Sequence, residues 1–116
     1  MIEDLVKEYQ ELSGQSANAS LYENLIFEEF FEWVKKAKDR VGYKNNAAEL
    51  KELADLVYVI FGYAVASGYD LTEAIERVHA NNLARMRQDD GSIKRREDGK
   101  IIKNPNTPPV YLEDLV

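Results

Sequence analysis

The 116-residue chain has no cysteine, one histidine (His79) and one tryptophan (Trp33), and its three prolines all fall in the final segment "PNTPPVYLEDLV". Without cysteine, a disulfide framework and a thiolate metal site are excluded, and a reducing intracellular compartment is the expected setting. A lone histidine falls short of the di-iron bundle pattern, which needs two Glu-x-x-His motifs where this chain has only Glu76-Arg77-Val78-His79. No apolar run approaches the ~20 residues that cross a bilayer. The longest runs from Leu56 to Ala66, and the N-terminal "MIEDLVKEYQ" is acidic and amphipathic rather than signal-like. The expectation is a cytoplasmic protein with no membrane partner, folded as one domain over residues 1–116.

Charge is unevenly distributed. Residues 1–84 carry eight Lys/Arg against fifteen Asp/Glu, whereas residues 85–103 carry seven against four. The overall balance of −6 argues against general nucleic-acid binding, which needs broad neutralisation of phosphates. An acidic body with a small basic C-terminal patch suits a site that holds a metal and meets a compact anion.

The pattern of apolar residues predicts an all-α protein. Ile2, Leu5, Val6, Tyr9 and Leu12 recur at helical spacing and predict a first helix over 2–12. Ser20 and Glu23 have capping-box spacing ahead of a second helix over about 21–41, stopped by Gly42. Asn46 with Glu49, and Asp70 with Glu73, repeat that logic for helices over 47–67 and 71–87, and Gly68 closes the third. The architecture expected is a four-helix antiparallel bundle-like subunit. Asp98-Gly99, between short strand-like runs, predicts a hairpin over about 93–103 with a two-residue loop, followed by an extended tail free to lie across a neighbour. The third helix is apolar nearly all round from Leu56 to Ala66, so it must be covered on every side. One small chain can hardly do that, and a homodimer or homotetramer is expected.

Two acidic clusters stand against apolar sequence. In "FEEFFEW", Glu28, Glu29 and Glu32 alternate with Phe27, Phe30, Phe31 and Trp33; in "ELKELAD", Glu49, Glu52 and Asp55 share a helix face by their three-residue spacing. A run of glutamates on a helix is ordinarily a solvated face. Here Glu32 and Asp55 sit between residues expected to be buried, and the second cluster repeats the first. If the two helices are antiparallel neighbours, four to six carboxylates meet. Such crowding is repulsive unless a cation neutralises it, and hard divalent ions favour all-oxygen shells. On the fourth helix, Leu71, Ala74, Ile75 and Val78 mark an inward stripe whose next position is Asn82. A polar side chain there is a buried hydrogen bonder or a ligand contact. Arg85 follows on the same face, within reach of a phosphate, and Arg95 and Lys103 are the hairpin's candidates for the same role. His79 is expected to be structural or part of a pocket wall.

These residues resemble a known family. "EEFFE", nineteen residues, then "ELAD" is similar to the E-E-x-x-E … E-x-x-D pattern of the MazG-like all-α nucleoside triphosphate pyrophosphohydrolases, a superfamily that includes dimeric dUTPases and phosphoribosyl-ATP pyrophosphohydrolases. "VHANNLARM" and "DGKIIKNPNTPP" resemble the segments that follow in small single-domain members. The resemblance implies that Glu29, Glu32, Glu52 and Asp55 hold Mg²⁺, with Mn²⁺ a possible substitute. It implies that Glu28 binds a further metal or positions the attacking water, and that Asn82, Arg85, Lys103 and Asn106 contact the nucleotide. Arg85 stands where the family often has Lys, which keeps the charge but changes the geometry.

The expected activity is Mg²⁺-dependent cleavage of a nucleoside triphosphate between its α and β phosphates, in a nucleotide-pool house-cleaning role. Phosphoribosyl-ATP hydrolysis is the enzymatic alternative. A non-catalytic helical oligomer with an acidic partner surface is the alternative of another class. For the base, Phe30, Trp33, Tyr58 and neighbours across the oligomer are the candidate pocket.

Overall fold

The computed structural model describes residues 1–15, 18–38 and 46–116, with Lys38 and Asn46 described by their backbone alone. Four helices follow one another: α1 (Ile2–Ser13), α2 (Ala19–Lys38), α3 (Asn46–Ser67) and α4 (Leu71–Arg85). A two-stranded hairpin, β1 (Lys94–Arg95) and β2 (Ile101–Ile102), and a short 3-10 turn over Glu113–Leu115 complete the chain. The all-α expectation with a C-terminal hairpin holds. The stop expected at Gly42 lies outside the described residues, as does the side chain of the expected Asn46 cap. The chain divides into two compact units, Met1–Tyr69 and Asp70–Val116.

In the first unit, α3 packs against both α1 and α2. The Tyr58 hydroxyl lies 3.5 Å from the Leu5 carbonyl oxygen and Gln10 Nε2 donates to the Gly62 carbonyl at 3.1 Å, so α1 and α3 run parallel. Tyr22 lies against Gly62 while Glu29 meets Asp55, so α2 runs antiparallel to α3. The result is an up-down-up trio. Val6, Tyr22, Ala37, Val59, Phe61 and Ala64 form its buried apolar core. Gln10 is buried among them, and its bond to Gly62 offsets the cost of removing an amide from water.

Local chemistry explains the helix ends. Gly14 closes α1 in the left-handed region at φ 74°, its N–H donating to the Gln10 carbonyl. The start of α2 corrects the sequence expectation. Asn18, not Ser20, accepts from the backbone N–H of Leu21, at 2.9 Å, and the helix begins two residues before the predicted position. Asn ranks with Ser as an N-cap, so sequence spacing alone favours neither. At α4 the expected cap is present: Asp70 Oδ1 accepts from the Glu73 N–H at 3.1 Å.

The second unit adds one contact and corrects two further expectations. The extended tail folds back on its own α4. Arg77 donates to both carboxylate oxygens of Asp114, at 2.6 and 2.9 Å, and to the Tyr111 carbonyl, while Asp70 N–H donates to the Leu115 carbonyl. Such a bidentate pair carries geometric specificity that a single contact lacks. The hairpin loop holds three residues, not two. Lys94 pairs with Ile102 and Arg95 with Ile101, and the Arg96 N–H reaches the Lys100 carbonyl. Glu97, Asp98 and Gly99 are left as the loop, with Gly99 at φ 91° in the position that needs a left-handed residue. Finally, the α4 stripe is not inward-facing within its unit. Leu71 and Ala74 are half-buried, but Ile75 and Val78 are exposed and α4 buries no residue fully.

Candidate active site

The antiparallel pairing of α2 and α3 brings the two acidic clusters to one cleft. Glu28, Glu29, Phe31 and Glu32 from α2 and Lys51, Glu52 and Asp55 from α3 line a cavity of about 480 Å³. Carboxylate oxygens of Glu29, Glu52 and Asp55 all lie within 4.8 Å of one another. Glu28 and Glu32 belong to the cleft wall but not to that close trio. Glu49, on the same sequence pattern, does not line the cleft.

Electrostatics within the cleft are those of an under-neutralised site. The Glu29 carboxyl is raised above its ordinary value, first by partial desolvation and then by the charges of Asp55 and Glu52, against a smaller opposing effect of Lys51. Lys51 Nζ lies 2.6 Å from Asp55 Oδ2, and that bond, together with the charges of Asp55 and Glu52, holds the ammonium's pKa up. Lys35 Nζ approaches Glu32 more loosely, at 3.9 Å. Oxygens arranged around a Mg²⁺ at ~2.1 Å are separated by about 3 to 4 Å. The observed trio is therefore within small side-chain adjustments of a shared divalent ion, and its donor set is the all-oxygen kind such ions favour.

The aromatic residues are placed differently from the expectation. Phe31 alone among them lines the cleft, and it is 60% exposed. Phe30 sets its ring edge against Phe31 at 5.9 Å and lies 6.1 Å from Trp33. The residues beside Glu32 and Asp55 are not fully buried: Phe31 and Ala54 are exposed, and Trp33 and Leu56 are intermediate. Tyr58 is committed to the α1–α3 seam, its ring edge-on to Tyr9 at 5.9 Å, so it does not belong to a base pocket with Phe30 and Trp33.

The remaining candidates lie in the second unit. Asn82 is exposed on α4, as is His79, while the neighbouring Asn81 donates to the Pro108 carbonyl at 2.9 Å. Arg85 is half-buried, and its Nε is buried with no hydrogen-bond partner among the described residues. Its carbonyl accepts from the Asn104 N–H at 2.8 Å. Lys103 and Arg95 are exposed. Asn106 already uses its side-chain amide, which donates to Asp89 Oδ2 at 2.6 Å. The sequence reasoning missed Lys51 and Asp89. Lys51 had a visible signal in its Lys-x-x-x-Asp spacing to Asp55; the bonds of Asp89 span 15 and 17 residues, and no local pattern announces them.

An antiparallel pair of helices presenting converging carboxylates is a frame able to hold a divalent ion. The family model of phosphoribosyl-ATP pyrophosphohydrolase matches residues 1–82, and the chain belongs to that family, within the MazG-like all-α superfamily. It is therefore a pyrophosphohydrolase by family, whose members are typically divalent-metal dependent and act on nucleotides. The match ends before Arg85, the hairpin and the tail. Comparison with curated proteins returned no match. Among the described residues, no helix is long and apolar enough to cross a membrane.

Proposed function

We propose that the protein is a Mg²⁺-dependent pyrophosphohydrolase that breaks the anhydride between the α and β phosphates of phosphoribosyl-ATP or a closely similar nucleotide, releasing pyrophosphate. The observation that carries this reading is the convergence of Glu29, Glu52 and Asp55 in a chain of this family. Glu29, Glu32, Glu52 and Asp55 are the proposed metal ligands, with Mn²⁺ a possible substitute. When bound, the ion supplies Lewis-acid stabilisation of charge developing on the phosphate oxygens and lowers the pKa of a coordinated water. Glu28, on the same wall, is proposed to orient the attacking water through its carboxylate. No nucleophilic side chain is required. The bond broken is the bridging P–O bond, and the pyrophosphate leaves as the anion.

Asn82, Arg85, Lys103 and Asn106 are proposed nucleotide contacts on the strength of the sequence resemblance. Arg85 is favoured by its unpaired Nε, whereas the amide of Asn106 would have to exchange Asp89 for substrate. The exposed Leu53, Val57 and Ile60 on α3 and Phe27 and Phe30 on α2 support a homodimer or homotetramer, because apolar surface on this scale is costly in water. A cytoplasmic site of action, without nucleic-acid or membrane partners, fits the net charge and the absence of cysteine.

Hydrolysis of ordinary or modified nucleoside triphosphates in house-cleaning is the second reading. It is favoured by the tail "DGKIIKNPNTPP", which lies beyond the family match and resembles small single-domain triphosphate hydrolases. One ion-exchange assay separates the readings: phosphoribosyl-ATP and a panel of (deoxy)nucleoside triphosphates, each with and without Mg²⁺. Metal-dependent pyrophosphate release chiefly from phosphoribosyl-ATP supports the first, and chiefly from a triphosphate the second. No turnover of any nucleotide overturns both and leaves a non-catalytic helical oligomer.

A further inference from the structure

Among the described residues, one cation lines the cleft. Lys51 lines the same cavity as Glu28, Glu29, Glu32, Glu52 and Asp55, one helical turn before Asp55, with Nζ 2.6 Å from Asp55 Oδ2. Its side chain is 69% exposed, so the ammonium is held by charge rather than by burial, on a flexible four-carbon stem that is free to swing. Asp55 Oδ2 belongs to one of the three carboxylates that converge.

We propose that Lys51 is the resident counter-cation of this cleft, which a divalent ion must displace, so that the lysine sets the metal concentration at which the site fills. The inference rests on the reading of the cleft as a metal centre. A divalent ion ~2.1 Å from Asp55 Oδ2 and an ammonium in hydrogen-bonding contact with the same oxygen would be close like charges in a partly desolvated cleft. The ammonium therefore gives way, and the free energy of its ion pairs is subtracted from metal binding. In exchange, it screens the carboxylates from one another whenever no metal is present.

Lys35 supplies an internal control. It carries the same charge and makes a looser contact, 3.9 Å from Glu32, without lining the cleft. Removing either lysine changes the net charge equally, so a difference between the two variants reports position rather than long-range field.

The test is calorimetric titration of the full chain with Mg²⁺ and Mn²⁺, together with thermal unfolding in the absence of metal, for the wild type, Lys51→Met, Lys51→Arg and Lys35→Met. At low ionic strength Lys51→Met is expected to bind metal more tightly by on the order of tenfold, an advantage that shrinks as salt screens the ammonium. Without metal its Tm should fall below that of Lys35→Met. Lys51→Arg should stay near the wild type, which shows that the charge and not the stem is responsible. Metal binding by Lys51→Met equal to or weaker than the wild type, or tightened no more than in Lys35→Met, overturns the role of Lys51 while leaving the metal centre standing. If none of the four proteins binds either ion, the metal-centre reading fails, and this inference with it.

Discussion

The ring of Tyr22 lies so close to the α-carbon of Gly62 that a methyl group there would sit 2.2 Å from Tyr22 Cε1 and 2.5 Å from Cδ1. Tyr22 is only 2% exposed, and the Gly62 carbonyl accepts from buried Gln10. One missing side chain thus joins all three helices of the first unit. Gly62→Ala forces the ring or the α2–α3 spacing to shift and is expected to cost about 1–3 kcal/mol, read as a lowered denaturation midpoint. Because α2 and α3 also carry the carboxylates, the variant should lose metal-induced stabilisation along with stability.

Tyr22→Phe should behave in the opposite way. The Tyr22 hydroxyl is buried with no hydrogen-bond partner among the described residues. Deleting it removes a desolvated polar group without orphaning a neighbour, so stability should stay within about 1 kcal/mol of the wild type or rise. A large loss in urea unfolding would reveal a partner for that hydroxyl and refute the assignment.

Asp89 clamps the segment that follows the hairpin. Its two oxygens accept from the side-chain amides of Asn104, at 2.8 Å, and of Asn106, at 2.6 Å. Asn104 is buried and also donates its N–H to the Arg85 carbonyl. Asn104→Ala should therefore cost the second unit about 1–2 kcal/mol. Asp89→Ala should free Lys103 and Asn106 without loosening α1 to α3. Hydrogen exchange resolved by segment distinguishes the two effects, and faster exchange confined to residues 103–107 is the expected result for Asp89→Ala.

The same clamp has a pH signature. Donation from Asn104, and next from Asn106, holds the Asp89 carboxyl below its ordinary value. A carboxyl with a depressed folded-state pKa contributes stability above its unfolded pKa and loses it as pH falls through the folded value. The tail should consequently stay fastened at neutral pH and release only in acid, below the ordinary carboxyl value of 3.8. Amide shifts of Asn104 and Asn106 followed down in pH test this, and release beginning near pH 6 would exclude Asp89 as the controlling group.

Much of this organisation was legible in the sequence, for physical reasons that also mark where legibility ended. Helical spacing and glycine stops located four helices because both signals are local. The choice between Asn18 and Ser20 as a cap was not decidable, since both side chains can accept the same kind of bond. Glu29, Glu52 and Asp55 were recoverable because three-residue spacing on two antiparallel helices leaves few other places for their carboxylates. Tyr58 was misplaced because an aromatic at a helical position can face a seam or a pocket with equal ease. The inward stripe predicted for α4 failed because periodicity reports which residues share a face, not what covers it. Asp89 was invisible, its partners being fixed by a tail whose path no periodicity predicts.

The trio of carboxylates predicts a conflict between stability and function. Glu29 titrates above its ordinary range through desolvation and the charges of Asp55 and Glu52. Its folded-state pKa is raised, so the stability it contributes is full below the unfolded value near 4.5 and is lost as pH rises through the raised value. At neutral pH the metal-free protein should then be less stable than its Glu29→Gln variant, because the substitution removes one of the repelling charges without changing side-chain shape. The relief should be modest, since the group is largely solvated and screened. Glu52→Gln removes one of the charges that raise the Glu29 carboxyl. Both variants should lose turnover by on the order of 100-fold or more, because metal polarisation of a phosphoryl oxygen supplies several kcal/mol at the transition state. Both should also lose most of the rise in Tm expected for the wild type in millimolar Mg²⁺ by mass action. Thermal unfolding with and without Mg²⁺, beside the pyrophosphate assay, reads all three quantities. A variant more stable without metal, blind to Mg²⁺ and inactive is what a metal-binding trio requires; one that melts lower without metal would mean that these carboxylates hold the helices together rather than strain them.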